Sequence, residues 1–126
     1  MKAKEWIVGQ HHIGVPAKDI EKSVAFYQSL GFEITHQPKP DVYFLTLGNT
    51  VIETYADDTA TGKPGAFDHL AFEVKNVDSL FEQMKKDGYE LFNEEIQLLP
   101  EFFERGMRYF MIVGPNGEKV EFAEAL

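Results

Sequence analysis

Cysteine is absent from the 126 residues. That excludes disulfides, thiolate metal ligands and cysteine nucleophiles, and makes a reducing cytoplasm the expected setting. Basic residues are scarce: 12 Lys and Arg stand against 21 Asp and Glu, for a formal charge of −9. Phosphate recognition needs a basic face, so no nucleic-acid partner is expected, and an anionic membrane surface is disfavoured on the same ground. No apolar run approaches the roughly 18 residues of a membrane span. The start, Met1-Lys2-Ala3-Lys4-Glu5-Trp6, lacks the apolar stretch of a secretory signal. What is present is ordinary for one compact domain over residues 1–126, with 44% hydrophobic and 26% charged residues. The excess of carboxylates either keeps the protein soluble or gathers around a cation. Position has to decide between these.

An internal repeat supplies the positions. His12-Ile13-Gly14-Val15 aligns with His69-Leu70-Ala71-Phe72 at an offset of 57. The same offset takes Ile20 to Val77, Val24 to Phe81, Tyr27 to Met84, Gly31 to Gly88, Phe32 to Tyr89 and Ile34 to Leu91. The apolar pattern stays in register for more than twenty positions without a gap, so the two halves are expected to share a fold.

Each half reads as a strand, a helix and further strands, which gives an α+β chain of two tandem βαβββ modules. Segments 7–15 and 67–74 alternate as half-buried strands do. Asp19 and Asn76 are helix N-caps, followed by Ile20, Val24 and Tyr27 and by Val77, Leu80, Phe81 and Met84 at helical spacing. Gly31 and Gly88 fit a left-handed C-terminal cap, where a Cβ would be strained. Further strands are expected at 32–37, 41–47 and 50–55, then at 89–93, 107–113 and 118–123. Gly48-Asn49 and Pro115-Asn116-Gly117 mark turns. Module one spans about 6–55, a polar linker about 56–66, and module two about 67–126. At the end of the repeat, Ile52-Glu53 matches Val120-Glu121 at an offset of 68. The second half therefore carries 11 extra residues, placed within 93–106, and Leu98, Leu99, Pro100, Phe102 and Phe103 make this insertion apolar.

Side chains two apart on a strand share a face. With Ile13 and Val15 on the helix side, His12 faces the other way. By the same rule His69, Glu53 and Glu121 oppose Leu70, Ile52 and Val120. Each helix buries its apolar stripe on one face of the curved mixed sheet, so the four residues are expected on the opposite, concave face. Two imidazoles and two carboxylates gathered there call for a divalent cation; zinc, nickel, cobalt, iron and manganese all suit such donors. Without a cation, neighbouring carboxylates repel and one tends to hold a proton.

The stretches His11–Pro16, Ser23–Phe32 and Gly114-Pro115-Asn116-Gly117-Glu118-Lys119-Val120-Glu121-Phe122 resemble the vicinal oxygen chelate superfamily over nearly the whole chain. That group includes glyoxalase I, methylmalonyl-CoA epimerase, fosfomycin-resistance proteins and extradiol dioxygenases. The resemblance implies a glyoxalase-like cup of mixed sheet with helices outside, and carries the metal ligands of glyoxalase I onto His12, Glu53, His69 and Glu121. It further implies a metal that holds neighbouring substrate oxygens and stabilises an enediolate, with Glu121, or Glu53 on the other face, moving the proton. A small-molecule substrate and a homodimer follow from it as expectations. The chain departs from epimerases, which usually place glutamine at the position of Glu53, and from the three-ligand sites of fosfomycin-resistance proteins and dioxygenases. No glutathione-binding set is evident, so lactoylglutathione lyase is the nearest label rather than a substrate assignment.

Single residues have plainer readings. His11 is expected on the helix side or at a strand edge and His36 near a turn. Phe102 and Phe103 are read either as core or as a pocket lid. Arg105, Arg108 and Lys119 are read either as solvated charge or as contacts to an anionic substrate, with Lys119 first because it shares the face of Glu121. Three functions compete: a metal-dependent isomerase or lyase for a small α-oxygenated carbonyl compound, a non-catalytic binder of a small molecule such as a drug, and a metal-assisted thiol transferase.

Overall fold

The local code at the two helices is written twice. In the computed structural model, which describes residues 2–126, α1 (Ile20–Ser29) and α2 (Val77–Lys86) have ten residues each. Asp19 accepts the backbone N–H of Lys22, and Asn76 accepts that of Ser79, each at 3.2 Å. Both helices end alike. The N–H of Gly31 bonds to Gln28 O and that of Phe32 to Tyr27 O, and Gly88 and Tyr89 repeat this on Lys85 and Met84. This is the Schellman arrangement, and it requires the positive φ that Gly31 (105°) and Gly88 (87°) adopt.

Residues up to Ala60 form one unit and those from Thr61 onward a second; the boundary falls within the polar 56–66 stretch. In the first unit a single 3₁₀ turn, Ala3–Glu5, precedes β1 (Ile13–Ala17), α1, β2 (Glu33–Lys39), β3 (Val42–Leu47) and β4 (Thr50–Ala56). The second unit holds β5 (His69–Glu73), α2, β6 (Gln97–Leu99), β7 (Met107–Val113) and β8 (Lys119–Ala125). Each unit has one mixed four-stranded sheet, β1-β4-β3-β2 and β5-β8-β7-β6, with the first pair parallel and the rest antiparallel. The fold is α+β, two βαβββ units in tandem.

Three expectations about strands are corrected. The first strand begins at Ile13 rather than residue 7: Trp6, Ile7 and Val8 are exposed and outside any ladder. Alternation alone cannot tell a strand that has a partner from one that lacks it. The segment 89–93 makes a single bridge, Leu91 to Ile112, and is not a strand. The strand that flanks β7 at that edge is instead β6, inside the insertion at 93–106.

The two cores differ in kind. In the first unit Tyr27, Leu45 and Ile52 are fully buried together with a polar chain: the Ser23 hydroxyl meets Thr54 Oγ1 at 2.7 Å, and Thr54 Oγ1 donates to Val15 O at 2.9 Å. Ser23 and Thr54 correspond by the repeat to Leu80 and Phe122. The second unit accordingly packs aromatics, Phe110 between Phe81 (5.1 Å) and Phe122 (5.3 Å).

Candidate functional site

Register decides which side chains share a face. In the first unit Gly14 pairs with Glu53 and Phe44 with Glu53 on the other side, while Ile13, Ile52 and Leu45 line up on the helix side. A Cβ built on Gly14 would stand 4.0 Å from Glu53 Oε1 and 3.7 Å from the Tyr55 ring. Gly14 thus leaves open the space beside that carboxylate. His12, two residues before Gly14, brings Nε2 to 3.3 Å from Glu53 Oε1. Its ring lies edge-on to Phe44, centroids 5.4 Å apart, and its Nδ1 is 2.8 Å from His11 Nδ1.

The second unit repeats the pattern with different neighbours. His69 pairs with Lys119 and Ala71 with Glu121, whereas Val120 and Phe122 turn to the helix. His69 Nε2 stands 3.6 Å from Glu121 Oε1, and Glu121 is buried at 8% exposure. That distance is too long for a hydrogen bond. His69 Nδ1 meets Asp68 Oδ2 at 3.0 Å. A carboxylate accepts, so Asp68 holds a proton on Nδ1 and Nε2 is the nitrogen turned toward Glu121. The Lys119 ammonium donates to Asp68 Oδ1 at 3.1 Å and lies 4.7 Å from the centroid of the Phe92 ring. The hydrogen bond from His69, then that from Lys119, holds the Asp68 carboxyl below the usual carboxylate range.

These pairs suit a metal by donor type and spacing. Two donors each about 2.1 Å from one ion, subtending about 90–110°, are about 3.0–3.4 Å apart. The separation of 3.3 Å lies in that range, and that of 3.6 Å just beyond it. Among the described residues no group of three or more His, Asp or Glu is arranged to hold an ion; what each unit brings together is one imidazole and one carboxylate.

The other candidates fall in varied places. Arg108 pairs with Glu124 on the helix side of its sheet and donates twice to Asp78 of α2, at 2.7 Å each. Its guanidinium is engaged away from the face of Glu121. Phe102 and Phe103 are not core: they are 44% and 75% exposed, in the turn joining β6 to β7. Phe103 holds a left-handed backbone (φ 59°), uncommon for a bulky residue and strained unless its surroundings require it. Arg105 is exposed in the same turn.

Residues that sequence reasoning missed stand beside the pairs. His36 lies inside β2 rather than near a turn, because a register break between Ile34 and His36 puts it opposite Phe44, ring centroids 5.6 Å apart. His11 touches the ring of His12, centroids 5.0 Å apart. Asp68 carries a signal that was available: the offset of 57 takes His11 to Asp68, so in both halves the residue before the candidate ligand reaches its Nδ1.

A family model described as Glyoxalase/Bleomycin resistance protein/Dioxygenase superfamily matches residues 9–122. The human mitochondrial methylmalonyl-CoA epimerase is 29% identical over 109 residues, covering 74% of this chain; the match spans 62% of the epimerase. Among solved structures, the fosfomycin resistance protein FosX from Listeria monocytogenes superposes with a TM-score of 0.76 at 22% identity, covering 95% of both chains. Lactoylglutathione lyase from Agrobacterium tumefaciens gives 0.72 at 18%, covering 95% of this chain and 96% of that one. These two likenesses speak for the fold alone.

Proposed function

The chain belongs to the Glyoxalase/Bleomycin resistance protein/Dioxygenase superfamily, and from that premise we propose that it is a metal-dependent isomerase or lyase acting on a small α-oxygenated carbonyl compound. The observation that carries this reading is the duplicated His–Glu pair, one per unit at equivalent repeat positions, each at ligand-like separation. His12 with Glu53 in one unit, and His69 with Glu121 in the other, are the candidate ligand pairs for a divalent ion, and nickel, zinc, cobalt, manganese and iron all match the donors. Bound there, such an ion supplies Lewis acidity that makes the C–H beside a carbonyl easier to deprotonate.

The rest falls to the chain. Glu121 is the better candidate for the base that takes the proton from the carbon beside the carbonyl and returns it. It is buried and stands 3.6 Å from His69 Nε2. Glu53 is the candidate for the same work on the other face. Gly14 keeps the space beside Glu53 clear. The exposed Phe102 and Phe103 offer apolar contact to a substrate. Lys119 offers a positive charge on the face of Glu121, though Asp68 already shares it.

The epimerase relative supports one particular form of this chemistry, since inversion beside a thioester carbonyl also begins with loss of that proton. Two assays on one preparation separate the forms. Protein purified without chelators is analysed for metal, reloaded with nickel, cobalt or zinc, and offered hemithioacetals of several thiols and a 2-methyl acyl-CoA thioester. Metal uptake with turnover of one class is the expected result. No metal bound and none rebound would leave a non-catalytic small-molecule binder as the surviving reading.

A further inference from the structure

The two His–Glu pairs are alike in position and unlike in support. Behind His12 stands another imidazole, His11, at 2.8 Å from Nδ1. Behind His69 stands a carboxylate, Asp68, itself bonded to Lys119 at 3.1 and 3.4 Å. The repeat makes the contrast sharp, because His11 corresponds to Asp68 and Val51 to Lys119. An imidazole backing an imidazole leaves two arrangements open, since either ring can donate to the other. A carboxylate can only accept, so it holds a proton on Nδ1 and, in the neutral ring, leaves Nε2 as the lone-pair nitrogen turned toward Glu121. Negative charge behind the ring also raises the electron-pair basicity of Nε2.

We infer that Asp68, braced by Lys119, is the positioning residue that fixes His69 as the Nδ1–H tautomer and makes His69–Glu121 the anchoring one of the two candidate metal pairs. Lys119 then acts first as a brace: its ammonium is held between Asp68 and the Phe92 ring. The anchoring half of this inference rests on the metal-binding reading. The tautomer half stands without it.

Nitrogen NMR of ¹⁵N-histidine-labelled, metal-free protein reads the tautomer directly. His69 of the wild type is expected as Nδ1–H, shifting toward Nε2–H in Asp68→Ala. Asp68→Asn, which keeps an accepting oxygen, is expected to restore Nδ1–H. Asp68 is largely exposed, and a melting curve checks that each variant is folded. Zinc and nickel affinities by competition with a chromophoric chelator form the second arm. The expected loss is about 10–100-fold for Asp68→Ala, smaller for Lys119→Gln and smaller for His11→Ala. A wild-type His69 with its proton on Nε2, or a tautomer indifferent to Asp68, overturns the inference whatever the metal result. A wild type that binds metal with Asp68→Ala equally tight overturns the anchoring half and leaves the proposed function standing. A wild type that binds no metal ends the proposed function, while the NMR result still decides the tautomer.

Discussion

Glu121 and Glu124 lie three residues apart on β8 and face opposite ways, and their environments give them opposite tasks. Glu121 sits buried, 3.6 Å from His69 Nε2. Glu121→Gln removes the proposed base with almost no change of shape, so turnover is expected to fall about 10²–10⁴-fold while the melting temperature holds; unchanged turnover would remove Glu121 from that role. Glu124 instead accepts the backbone N–H groups of Val77 and Asn76, each at 3.0 Å, at the start of α2. The bond from Val77, then that from Asn76, lowers the Glu124 pKa. A group with a lowered folded pKa stabilises fully above its unfolded pKa and loses that contribution as pH falls through the folded value. Wild type should therefore outlast Glu124→Gln in urea at neutral pH, with the gap closing on acidification below the ordinary carboxylate range. A gap that persists or widens in acid would contradict the capping role.

Helix α2 meets its sheet through Phe81 against Phe110, whose ring is wholly buried and also stacks near Phe122. Phe110→Ala is expected to cost about 3–5 kcal/mol, read from the shift of a chemical denaturation curve; a cost below 1 kcal/mol, on the order of an exposed site, would mean that the aromatic stack is not the core of that unit. Both helices and their caps were legible in the sequence because they depend on neighbours within five residues. The pairing of His12 with Glu53 and of His69 with Glu121 was legible for another reason: the repeat, together with the period of two, puts them on one face. What stayed hidden depends on register between distant strands. The break in β2 that turns His36 toward Phe44 leaves no periodic trace, and 89–93 has strand composition but meets β7 at one bridge only, Leu91 to Ile112. The bidentate grip of Arg108 on Asp78 was likewise out of reach, because it needs to be known that residues thirty apart meet.

For the molecule as a whole, no helix among the described residues is long and apolar enough to cross a membrane. The outer strands of the two sheets bear on how copies of the chain treat one another. An outer strand displays unpaired N–H and C=O groups that a neighbouring chain can extend. β1 and β5 offer five residues each for this, and β6 only three. β2 offers seven, but its register breaks at Ile34/His36 and again at His36/Lys39, and Pro38 withholds a donor in the second interval. Replacing Pro38 by Val is expected to shorten the lag before thioflavin-positive aggregates form in concentrated protein; an unchanged lag would show that another edge governs. The irregularity that turns His36 toward Phe44 is thus also a barrier to polymerisation: the same misfit that shapes one wall of the candidate site interrupts the template on which a fibril would grow.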